Sequence, residues 1–138
     1  MSEDIVQSKV MELRVLENSI NEINSRQSII SRAIMDSNAS IEAIKTLSEN
    51  EKQDALMPIG GGVYLDAKLS KPSSLVVNIG SNVAIQKSVE DTIQYLESRS
   101  KELEQAGLSL EGQKIELVNR VNSIRNEVNS LMAGQQTG

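Results

Sequence analysis

A mostly helical fold with a small β insertion is predicted, in which two long helices form an antiparallel coiled-coil hairpin. Three observations predict it. Two segments of nearly equal length, about Ile5 to Gln53 and Ser81 to Leu131, repeat apolar residues every seven positions. A glycine- and valine-rich stretch lies between them and reads as β-strands. Helices of matched length joined by a compact module fold back most simply into a hairpin, because each then buries its apolar stripe against the other.

In the first segment one seam position holds Val6, Leu13, Ile20, Gln27, Ile34 and Ile41, and the other holds Lys9, Leu16, Ile23, Ile30, Ser37 and Ile44. Nine of these twelve are apolar, which identifies a coiled-coil seam, since a helix packed on a globular core drifts toward a 3.6-residue period. In the second segment Val89, Leu96, Leu103, Leu110, Leu117, Ile124 and Leu131 step by seven without a break, with Ile93, Val121 and Val128 on the companion position. Ser100, Gly107 and Lys114 fill three successive companion positions, Gln27 interrupts the first helix, and Gly112 lies on the outer face. An interior glycine costs about 1 kcal/mol relative to alanine. Two explanations stay open: a compliant point in the arm, or polar seam residues that set register and partner.

In the middle, Leu56-Met57-Pro58-Ile59 is a short extended segment whose proline ends helix propagation. Gly60-Gly61-Gly62 permits a tight turn, Val63 to Leu69 reads as a strand, Ser70 to Ser74 as a turn, and Leu75 to Ile79 as a second, β-branched strand. Gly80-Ser81-Asn82 turns again into Val83-Ala84-Ile85. Two hairpins, four strands in all, are expected. Isolated hairpins are marginal and leave open edges, so the module is expected to assemble with copies from other chains into a shared sheet or barrel. The residues expected at that oligomerisation surface are Ile59, Val63, Leu65, Val76, Val77, Ile79, Val83 and Ile85. The domain division expected is a single domain over 1–138: a helix over 5–53, hairpins over 56–85, a helix over 86–132 and a flexible tail over 133–138.

Composition removes whole classes of chemistry. The 138 residues include no Cys and no His, so thiol nucleophiles, imidazole bases and the commonest zinc ligands are absent. No catalytic residue, cofactor or metal is expected. Glu49-Asn50-Glu51 and Glu102-Leu103-Glu104 sit on helices, where neighbouring side chains diverge, so they read as solvated faces rather than metal cages. The glycine run lacks the Gly-Lys-Ser/Thr of a phosphate loop. The formal net charge is −5, with six basic and ten acidic residues over 1–55, two and one over 56–82, and six and eight over 83–138. With no basic patch and only Tyr64 and Tyr95 as aromatics, neither a nucleic-acid groove nor a base-stacking platform is expected. Met1-Ser2-Glu3-Asp4 is acidic where a secretory leader starts basic, and no apolar run is long enough to span a bilayer. A soluble cytoplasmic protein with no membrane partner is expected.

The run Leu56-Met57-Pro58-Ile59-Gly60-Gly61-Gly62-Val63-Tyr64-Leu65-Asp66-Ala67, followed by Val76 to Ser88 with its Gly80-Ser81-Asn82-Val83-Ala84-Ile85 core and an acidic helix start, resembles the archaeal alpha-type subunits of the prefoldin family. The layout matches along the whole chain and the motifs are sharpest across the β region. Two hairpins rather than one point to the alpha type. The resemblance implies an ATP-independent chaperone, a hexamer of two alpha and four beta subunits with a β-barrel platform, and coiled-coil tips that hold unfolded proteins and hand them to a group II chaperonin. A structural coiled coil that forms filaments through the same β module is the alternative.

In an antiparallel hairpin both termini meet at the end far from the β module, on the order of 70 Å away at about 1.5 Å per residue. There, apolar residues exceed what the seam uses. The residues expected to contact clients are Ile5, Val6, Val10, Met11, Val128, Leu131 and Met132, an adaptable aliphatic and thioether surface joined by Val15.

Overall fold

The computed structural model describes residues 2–137, with side chains over 3–134. The order is α1 (Ser2–Glu49), β1 (Lys52–Gly60), β2 (Val63–Ser70), β3 (Ser74–Gly80), β4 (Val83–Ser88) and α2 (Val89–Thr137). In chain order two long helices thus precede and follow two small antiparallel hairpins, β1 with β2 and β3 with β4. The chain divides into two compact units, Met1–Arg32 with Leu103–Gly138, and Ala33–Glu102.

In the first unit the helices run antiparallel. A side chain built at Gly107 would place its Cβ 3.7 Å from Ile30 Cγ2, which fixes one seam layer. Heptad steps from it set Ile23 opposite Lys114, Leu16 opposite Val121 and Lys9 opposite Val128. All the seam positions of this unit are at least half-buried, and Ile124, 1% exposed, is the most enclosed. The flanks of the seam carry ion pairs. Arg120 meets Glu12 at 2.8 Å on one side and Arg125 meets Glu17 at 2.9 Å on the other. The seam lysine keeps its stem against the partner helix while its ammonium reaches Glu127 at 2.7 Å. Gln27 donates to Glu111 at 2.7 Å across the helices, so this polar seam residue acts on register.

In the second unit Ile41 and Ile44 are buried with Ser37, Thr92 and Ser100. Helix α1 ends four residues before the expected Gln53, and Lys52 to Asp54 belong to β1. Lys52 and Gln53 favour helices intrinsically, but pairing of Gln53, Ala55 and Met57 with Leu69, Ala67 and Leu65 decides the conformation of the segment. The Gln53 side chain also donates to the Thr46 carbonyl at 2.9 Å, and the Lys71 N–H donates to the Glu51 carbonyl at 2.8 Å. At the other end, Gln86, Lys87 and Ser88, expected in the helix, complete β4. Ser88 is then the N-cap of α2: its hydroxyl accepts from the Asp91 N–H at 3.1 Å, and Glu90 and Asp91 supply the acidic first turn. Helix α2 continues through Thr137, over most of the expected tail, while Gly138 lies outside the described residues.

The hairpins repeat one design at a spacing of 20 residues. Ile59-Gly60-Gly61-Gly62-Val63 and Ile79-Gly80-Ser81-Asn82-Val83 share a register shift before the turn, between Pro58 and Gly60 and between Asn78 and Gly80. Both two-residue turns have positive φ at each centre, Gly61 and Gly62 at 60° and 77°, Ser81 and Asn82 at 51° and 61°. That is the geometry that matches strand twist. Gly60 and Gly80, at φ 111° and 105°, occupy a region that side chains avoid. Asn78 Oδ1 accepts from the Gly80 N–H at 2.9 Å and fixes the second turn.

Candidate functional site

Two surfaces carry apolar residues that a single chain leaves in solvent. The first is at the converging helix ends of the first unit. Ile5, Val10, Met11, Val15 and Met132 are exposed, Met11 to 68%. Val6 and Leu131 are half-buried and Val128 is buried, because all three are seam residues. Of the seven residues expected to contact clients, four are therefore accessible and three hold the tip together from inside. Ile5 lies one heptad before Glu12 and shares the Glu12–Arg120 flank, whereas Val10 and Met132, one heptad outward from Glu17 and Arg125, share the other. Met11 faces away from the seam. The apolar side chains spread over both flanks and the outer face of α1 instead of filling one cleft, which suits partners of no fixed shape.

Charges flanking the seam at this end are paired across the helices, Lys9 with Glu127 and Arg120 with Glu12. The Glu127 carboxyl is held below its ordinary range, first by the hydrogen bond from Lys9 and then by the lysine charge, with Arg120 adding a smaller pull. Arg120 is held protonated still more firmly by its hydrogen bond to Glu12 and the charge of that carboxylate.

Sequence reasoning missed a second set of exposed aliphatic residues along the helices: Ile29, Leu108, Ile115 and Val118 in the first unit and Met35 in the second. They lie outside the seam positions, and their signal is the heptad register itself, which assigns them outward places where polar residues are the rule. Beside Ile29, the small residue Ala106 leaves a shallow groove of about 410 Å3 lined by Arg26, Ile29, Ile30, Ala106, Ser109 and Leu110.

The other surface is the hairpin pair in the second unit. Residues paired across strands share a face, so Met57, Leu65 and Leu69 line one side of the first hairpin with Val63 beyond them, and all four are exposed. In the second, Leu75, Val77 and Ile85 share a face with Val83 and Ile79. Of the residues expected at the oligomerisation surface, Ile59, Val63, Leu65, Ile79, Val83 and Ile85 are exposed and Val77 is half-buried. Val76, 74% exposed, sits on the opposite face with Asn78 and Gln86. Each sheet has only two strands, so every strand has a free edge. Among the described residues no group of His, Cys, Asp or Glu could hold a metal ion, and no helix is long and apolar enough to cross a membrane.

Comparison with known proteins places the chain in a family. The Prefoldin subunit family model matches residues 16–133. Prefoldin subunit alpha of Nitrosopumilus maritimus is 34% identical over 139 residues, covering 100% of this chain and 96% of the relative. Prefoldin subunit alpha of Methanoculleus marisnigri is 31% identical over 137 residues, covering 94% and 92%. In three dimensions the chain shares its fold with the cryo-EM structure of filamentous PFD from Methanocaldococcus jannaschii, at a TM-score of 0.56 and 21% identity, over 91% of this chain and 98% of that one. Because the matched span runs through both helices and both hairpins, the chain belongs to the prefoldin subunit family of chaperones and resembles its archaeal alpha subunits along the full length.

Proposed function

We propose that this chain is the alpha-type subunit of an ATP-independent holding chaperone of the cytoplasm. It assembles with a beta-type partner, two alpha to four beta, through its hairpins. Its tip holds unfolded proteins until a group II chaperonin takes them. The observation that carries this reading is the set of exposed Ile5, Val10, Met11 and Met132 at a tip whose own seam is already filled. Solvent-exposed aliphatic groups clustered at one end of a hairpin mark a contact surface. The apolar hairpin faces and their free edges supply the assembly surface, since two-stranded sheets are marginal alone.

The test is suppression of aggregation of a denatured model protein by the assembled complex. Substitution of Ile5, Val10, Met11 and Met132 by Ser is expected to abolish suppression while the mass of the complex stays unchanged. Full holding activity in that variant would refute the reading. A second reading, a scaffold polymerised through the β module, draws on the filamentous neighbour. It requires no exposed tip and predicts an open-ended size distribution.

A further inference from the structure

The holding reading places clients at the tip. Resting on that reading, we propose that the client surface continues inward along one flank of the arm, as a track for an extended polypeptide segment. The flank is the one marked by the Glu17–Arg125 pair. Heptad and half-heptad steps from Arg125 place Val118, Ile115 and Leu108 on it, all exposed, Leu108 to 73%. The same steps from Glu17 place Asn21, Asn24 and Ser28 on the facing helix, exposed as well. Val10 and Met132 lie one heptad outward on this flank, so the track leads to the tip past the Glu17–Arg125 pair.

The walls differ in chemistry, and that difference selects the occupant. A third helix docked here needs apolar side chains from both helices. The Asn-Asn-Ser wall cannot provide them. An unfolded segment, by contrast, brings apolar side chains together with backbone N–H and C=O groups that require partners. Leu108, Ile115 and Val118 receive the side chains, and the amides and hydroxyl of Asn21, Asn24 and Ser28 donate to and accept from the backbone. The flank also carries few charges: Glu17 and Arg125 neutralise each other, and the same steps place Arg14 and Glu111, the latter accepting from Gln27, on it with opposite signs. The Glu12–Arg120 flank carries more ionised groups, with Glu22 paired to Arg26, Glu127 paired to Lys9, and Glu116 besides. From Met132 to Leu108 the track covers about 36 Å of helix, which is the length of about eleven extended residues.

The test uses the complex assembled with its beta-type partner and two fluorescent, uncharged aliphatic peptides, one of about five residues and one of about twelve. The longer peptide is expected to bind about tenfold more tightly, the net of a few buried aliphatic side chains after ordering costs. The triple substitution Leu108→Ser, Ile115→Ser and Val118→Ser is expected to remove that length advantage and leave the short peptide, which the tip alone accommodates, bound as before. Persistence of the advantage in the variant, or its absence from the unaltered complex, overturns the track. Failure of the short peptide to bind at all counts against the tip itself. In a second measurement, a photo-crosslinking residue at position 115 is expected to capture reduced, carboxymethylated lactalbumin, and one at position 116 is not. Equal capture at both positions, or capture only of another subunit at 115, also overturns it.

Discussion

The Ser100 hydroxyl is buried in the seam of α2, 7% exposed, without a hydrogen-bond partner. An unsatisfied buried polar group costs on the order of 1–3 kcal/mol, and alanine is the better helix former. Ser100→Ala is therefore expected to raise stability by about 1 kcal/mol in chemical denaturation, and a loss would show that the hydroxyl has a partner in solution. Ser88 is the opposite case, a side chain fully used as a cap. Its replacement by Ala is expected to cost about 1 kcal/mol, seen as a lower denaturation midpoint. Glu127 links the tip to pH. Its carboxyl is depressed in the folded state by Lys9, so the contact contributes above the unfolded value, about pH 4, and is lost as pH falls through the folded value. An NMR titration is expected to place Glu127 below the ordinary glutamate range and to return it there in Lys9→Met. An unaltered midpoint in that variant would contradict the assignment.

At the level of elements, the helices and hairpins differ in how plainly their residues declare them. The seam from Val6 to Ile44 and from Val89 to Leu131 could be read directly, because a strict seven-residue repeat has no other physical origin over that length, and each of those positions is shielded. The strand ends could not. Lys52 and Gln53 are ordinary helix residues and Asp54 is rare in strands, and only their partners across the first hairpin, Ser70, Leu69 and Lys68, make them strand. Val76 was equally opaque: alternation puts it on the face opposite Val77, and only the pairing with Gln86 shows that its face is the polar one. The turns impose a sharper demand. Gly80→Ala puts a side chain at φ 105° and is expected to destabilise the second hairpin by at least 1 kcal/mol, detectable as faster amide exchange from Val76 to Gln86. In α2, Gly107 has room for a methyl group at ordinary contact distance from Ile30. Gly107→Ala is accordingly expected to stabilise the arm by about 1 kcal/mol and to slow exchange around it. Protection at Gly107 already equal to that at Ile124 in the unaltered protein would show that the glycine is no compliant point.

For the whole molecule, the candidate site was legible in part. Apolar residues beyond the needs of the seam identified Ile5, Val10, Met11 and Met132, and the structure leaves all four in solvent. Val6, Val128 and Leu131 satisfy the seam and the surplus equally well on paper, and only the antiparallel pairing turns them inward. Leu108, Ile115 and Val118 escaped notice because they fall outside the seven-residue repeat, and they form a line only once Glu17–Arg125 reveals which flank they share. The hairpins complete the account. A chain that exposes Leu65, Val63, Val83 and Ile85 on two-stranded sheets with free edges has an incomplete structure by itself. The most direct measurement is the native mass of this chain mixed with a beta-type partner. A single closed species of two alpha and four beta subunits is expected, and a chain that stays monomeric in the mixture, or a ladder of masses without limit, would contradict it.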